Sequence, residues 1–102
     1  MSEEVPSAGA AYAAALKAVV KEFLQATGGT QKQLAVELHS SQAALSRYLN
    51  GERTAPYGFL RDLRVFLQKR GMPWDQDTDE RLDRLCGQAH AASGSPAVQI
   101  LQ

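Results

Sequence analysis

Thr30-Gln31-Lys32-Gln33-Leu34-Ala35-Val36-Glu37-Leu38-His39-Ser40-Ser41-Gln42-Ala43-Ala44-Leu45-Ser46-Arg47-Tyr48-Leu49-Asn50-Gly51 reads as two short helices joined by a tight turn. Thr30 is a good N-cap, and Gln33 stands three residues on, where a capping box wants Glu or Gln. Leu34, Ala35 and Leu38 form an inward face. His39-Ser40 make the turn, Ser41 caps the next helix, and Asn50-Gly51 stop it. Two helices that cross steeply need a small residue where they meet, and Ala35 supplies it. Leu34, Leu38 and Leu45 would anchor the pair on a core. Gln42, Ala43, Ala44, Ser46 and Arg47 keep the outward side of the second helix free of bulky apolar groups.

The flanking chain is helical too. Tyr12, Leu16, Val19, Val20, Phe23 and Leu24 share one helical face, so the pattern predicts a helix from Ala10 to Thr27, ended by Gly28-Gly29. After a loop at 52–55, Pro56 fits the first turn of a fourth helix carrying Phe59, Leu60, Leu63, Phe66 and Leu67 to about Arg70. Met72 and Trp74 lie in a short crossing segment, with Trp74 read as a core or interface plug. A fifth helix is expected from Asp77 or Thr78 to Ala92, with Asp77 and Glu80 in capping-box relation and acidic residues suiting the helix dipole. No strand pattern appears. The expected organisation is an arm over 1–9, one domain over 10–93 with its motif at 30–53, and a linker over 94–102. In that linker Val98, Ile100 and Leu101 begin an apolar stripe that breaks off within two turns, as if the natural chain continued beyond Gln102.

Composition narrows the function classes. A chain of 102 residues can bury a core without metal or disulfides, and Cys86 stands alone. There is no secretory leader and no apolar run that could span a membrane, which favours the cytoplasm. The formal net charge is zero, but its distribution is uneven. From Gly28 to Arg70 seven Lys and Arg face three Asp and Glu, and from Gly71 to Gln102 two face five. The positive segment is the one that holds the helix pair, which is where contact with phosphates would need it.

Other residues carry less. His39 and His90 lack partners at metal-ligand spacing and read as surface histidines. Cys86 reads as a small buried hydrophobe beside Leu82 and Leu85. The run Asp75, Asp77, Asp79, Glu80, Asp83 lacks the glycine and terminal glutamate of a calcium loop and reads as a helix start with a solvated face. No catalytic constellation, cofactor motif, metal site or small-molecule site is evident, so an enzyme is disfavoured.

Thr-Gln-x-x-Leu-Ala-x-x-Leu, a turn, then Ser-x-x-x-(apolar)-Ser-Arg-(apolar)-x-Asn-Gly-x-Arg, together spanning Thr30 to Arg53, resembles the lambda-repressor-like, or XRE-type, helix-turn-helix. The alanine-rich flanks and Gly71-Met72-Pro73-Trp74-Asp75 resemble actinobacterial regulators. The resemblance implies an all-α, five-helix bundle that binds double-stranded DNA in transcriptional control, as a homodimer at the bacterial nucleoid. It implies that Gln42, Ala43, Ser46 and Arg47 face bases in the major groove. Gln31, Lys32, Ser41, Asn50 and Arg53 would hold the backbone, with Gln31 also bracing Gln42. The fifth helix and the segment after Pro96 would supply the dimer contact. Two positions depart from the family: His39 replaces the usual turn glycine, and Ser40 replaces an apolar plug. Two alternatives stay open on the residues. One is a protein-interaction module using the same fold without DNA, and the other is an antitoxin or phage-type repressor that binds DNA and a partner protein.

Overall fold

Side-chain caps set where four of the helices start, at Ser7, Thr30, Ser41 and Asp75. The computed structural model of the protein describes residues 7–92. Five helices follow in order: α1 (Ala8–Thr27), α2 (Gln31–Glu37), α3 (Gln42–Asn50), α4 (Tyr57–Lys69) and α5 (Gln76–Ala92). No strand occurs among the described residues.

α1 begins two residues earlier than its apolar stripe predicts, because the Ser7 hydroxyl accepts from the Ala10 N–H at 3.1 Å and so caps the helix. Ala8 and Gly9, expected in an arm, are therefore helical. Thr30 and Gln33 form the expected capping box: Thr30 Oγ1 accepts from the Gln33 N–H at 3.2 Å, and Gln33 Oε1 accepts from the Thr30 N–H at 3.0 Å. Ser41 Oγ accepts from the Ala44 N–H at 3.0 Å and starts α3. Pro56 stands just before α4 as its N-cap rather than within its first turn. The start of α5 is also corrected. Asp75 is the cap, its carboxylate accepting from the Thr78 N–H at 2.8 Å, so the helix opens at Gln76 and the Asp77–Glu80 box does not form. That bond holds the Asp75 carboxyl below the usual aspartate range.

The turn between α2 and α3 closes on a left-handed residue. His39 has φ +56°, its N–H donates to Val36 O at 3.1 Å, and the Ser40 N–H donates to Ala35 O at 2.8 Å. This is the double bond pattern that glycine normally serves at a helix end. Histidine adopts it here at a conformational cost, and the N–H groups of His39 and Ser40 are both hydrogen-bonded. α3 ends the same way at Gly51, φ +80°, with the Glu52 N–H on Arg47 O at 3.0 Å.

α1 lies along α5 and crosses α3, and α2 packs on α3. Tyr12, Leu16, Val20 and Phe23 of α1 are buried against Leu45 and Leu49 of α3, the α4 residues Phe59, Leu60, Leu63 and Leu67, and Leu82, Cys86 and Ala89 of α5. Ala35 is 1% exposed, so the small residue does sit inside. Val19, Leu24, Phe66, Met72 and Trp74 close the edges as half-buried neighbours. Burying apolar side chains of this size is the main favourable contribution to the fold. Trp74 is an edge plug with a polar anchor: its Nε1–H donates to Asp79 at 3.0 Å, and the same carboxylate pairs with Arg64 at 3.0 Å. Asp79 is thus a tie between α4 and α5 and not simply a solvated charge. His90 is corrected as well. It is half-buried, its Nε2 lies 3.0 Å from Ala55 O, and its ring stacks on Tyr57 with centroids 5.8 Å apart. The expected linker over 94–102 and most of the expected arm lie outside the described residues.

Candidate nucleic-acid interface

α3 divides cleanly into an inner and an outer face. Leu45 and Leu49 are buried, and Tyr48 packs on Phe59 with ring centroids 4.9 Å apart. Gln42, Ala43, Arg47 and Asn50 are exposed. The helix carries no carboxylate. Its apolar side holds it on the core, which leaves the polar side presented to solvent as a rigid ridge.

The expected site residues separate into three groups. Gln42 and Ala43 stand exposed in the first turn of α3, with Arg47 one turn on. Gln31, Ser46 and Asn50 come together instead along a groove between α1, the start of α2 and α3. Ser46 is half-buried there, and its hydroxyl accepts from the Asn50 side-chain amide at 3.2 Å. In the protein alone no hydrogen bond joins Gln31 to Gln42. Arg53 stands exposed in the loop after α3, and Lys32 is exposed in the first turn of α2. Ser41 is exposed, with its oxygen committed to the Ala44 N–H but its own hydroxyl proton still able to donate.

The groove also reveals two residues that the sequence reading passed over. Lys17 and Lys21, one turn apart on the exposed side of α1, line the same groove as Gln31, Ser46 and Asn50. The only sequence signal was their i, i+4 spacing off the apolar face. Among the described residues Lys17, Lys21, Lys32, Arg47 and Arg53 are in no ion pair, whereas Glu37 is engaged by Arg70 at 3.8 Å. Cations left unpaired around a carboxylate-free helix make a surface able to accept a polyanion without first breaking internal pairs.

Among the described residues no group of three or more His, Cys, Asp or Glu side chains stands together as a metal site. Cys86 is fully buried, and that burial pushes its thiol upward, away from the reactive thiolate form. No helix among the described residues is long and apolar enough to cross a membrane.

Residues 20–72, which run from within α1 to just past α4 and include all of α2 and α3, match the family model described as Helix-turn-helix. No curated protein and no solved structure matches the chain.

Proposed function

Since the chain belongs to the XRE-type helix-turn-helix family, whose members are DNA-binding regulatory domains on a lambda-repressor-like all-α fold, we propose that it reads a specific duplex sequence with α3 in the major groove. Membership makes DNA the partner and transcriptional regulation the setting. The observation that carries the finer reading is the outer face of α3: polar, free of carboxylates and bordered by unpaired cations.

Gln42 is the hydrogen-bonding base reader, its carboxamide matching the N6 and N7 edge of adenine. Ala43 offers a methyl to thymine, and Arg47 reaches a flanking base or phosphate. Lys17, Lys21, Gln31, Asn50 and Ser46 form one phosphate seat around the groove, and Lys32, Ser41 and Arg53 extend the backbone contacts. These contacts set register, and Gln42 and its neighbours set sequence.

One α3 exposes few readers, so the proposal includes a homodimer on two half-sites about 34 Å apart, acting at the nucleoid. Selection of bound duplexes from a random pool tests this. The expected product is a short motif repeated as an inverted pair about one DNA turn apart. Recovery of no enriched motif would contradict sequence-specific reading, and a single unrepeated motif would contradict the dimer.

A further inference from the structure

The carbonyl of Ala55 collects side-chain bonds from two distant helices. Tyr12 Oη of α1 donates to it at 3.1 Å, and His90 Nε2 of α5 lies 3.0 Å away. A carbonyl only accepts, so Nε2 is the ring nitrogen that carries the proton in this contact. The Cys86 thiol approaches the same oxygen at 3.8 Å. Ala55 is 1% exposed although it lies in the connection from α3 to α4. Burial raises the Tyr12 phenol above its ordinary value, so at neutral pH it keeps its proton and donates.

The other end of the same loop is tied to α3. The N–H groups of Glu52 and Arg53 both point at Arg47 O, at 3.0 and 3.3 Å. The segment Gly51–Ala55 is therefore fastened at both ends, with the Arg53 backbone part of the first fastening, Ala55 the second, and the Arg53 side chain exposed.

We propose that Tyr12 and His90 are positioning residues for DNA: by mooring the Ala55 carbonyl they fix the loop that presents Arg53 to the phosphate backbone. The proposal rests on the DNA-binding reading above. It explains why two polar side chains from α1 and α5 converge on a loop in an otherwise apolar interior. A loop held in its bound conformation loses less freedom on binding, which favours affinity without a new contact.

The test uses two substitutions of His90 and two readouts. His90→Phe keeps a ring to stack on Tyr57 and removes the donor. His90→Gln keeps a donor. Amide hydrogen exchange of the protein alone should show Glu52 and Arg53 exchanging about tenfold faster in His90→Phe, measured against Leu63 and Leu67 of α4. His90→Gln should return them to within about threefold of the parent. In duplex binding, His90→Phe should weaken affinity by about threefold to tenfold in the parent and by less than about twofold in an Arg53→Ala background. Tyr12→Phe removes the other donor and should reproduce the loop-confined exchange, so the proposal does not depend on one variant folding. Exchange that rises equally in all helices, or losses from His90→Phe and Arg53→Ala that multiply, would overturn it. A parent protein that binds no duplex overturns the DNA reading instead, while the exchange arm still decides whether the mooring exists.

Discussion

The side-chain amide of Asn50 donates to the hydroxyl of Ser46, 3.2 Å away and one turn earlier on α3. That bond commits the acceptor side of Ser46 and turns it toward the groove it shares with Gln31, Lys17 and Lys21. Ser46, expected from the resemblance to read bases, lines that groove, and for this reason it is grouped with the proposed backbone contacts. Gln42 and Arg47 are left as the polar side chains on the outer ridge.

The two glutamine and serine positions should therefore fail differently. Gln42→Ala is expected to cost about 1–3 kcal/mol on the preferred duplex and to flatten preference at one base pair. Ser46→Ala should cost under about 1 kcal/mol and lower affinity evenly across sequences. Competition binding against single-base variants of the selected duplex separates them. A change of base preference in Ser46→Ala would contradict the placement.

His39 provides a test of the turn. It is exposed and holds φ +56°, where a side chain is strained and glycine is not. His39→Gly should raise stability by about 0.5 kcal/mol, relief of strain outweighing the entropy that glycine gains when unfolded. Urea denaturation measures it. A loss of stability would mean that the imidazole contributes a contact beyond the turn.

Acid should loosen α5 from α4 before the core opens. Hydrogen bonds from Trp74 first, and then from Arg64, hold the Asp79 carboxyl below its ordinary value of 3.8. A carboxyl whose folded value is depressed contributes stability that is complete above the unfolded value and is lost as pH falls through the folded one. The pair is about two-fifths exposed, so its contribution is small, below about 1 kcal/mol. Trp74 is the sole tryptophan, and its emission reports the event directly. Its emission should shift as pH falls below 3.8, and the stability gap between the parent and Asp79→Asn should close over the same range. A gap that is constant down to pH 2 would contradict the assignment.

What could be read from the chain was local. The Thr30–Gln33 box, the Ser41 cap, the stops at Gly28 and Gly51, and the inward Leu34, Ala35 and Leu38 are each settled within four residues, and each is in place. The division of α3 into an inner and an outer face was legible for the same reason. Two helix starts differ from the pattern because a polar residue upstream of the apolar stripe takes the cap: Asp75 starts α5 ahead of Asp77, and Ser7 extends α1 back to Ala8. Where the partner was distant, no signal existed. His90 and Ala55 are 35 residues apart, and Arg64 and Asp79 are 15 apart. Lys17 and Lys21 join the site only because α1 crosses α3, a fact of packing that charge counts along the chain do not contain.

The face built by α3, the start of α2 and the lysines of α1 is proposed to neutralise duplex phosphates. The most direct test is duplex affinity measured by fluorescence anisotropy from low to moderate salt. On a duplex that carries a single half-site, the five unpaired cations of one protomer, Lys17, Lys21, Lys32, Arg47 and Arg53, predict log affinity falling against log salt with a slope of about −4 to −5 if all reach phosphates. The double variant Lys17→Ala, Lys21→Ala should make that slope shallower by about 2. An affinity that does not change with salt, or a slope that the double variant leaves untouched, would contradict the account.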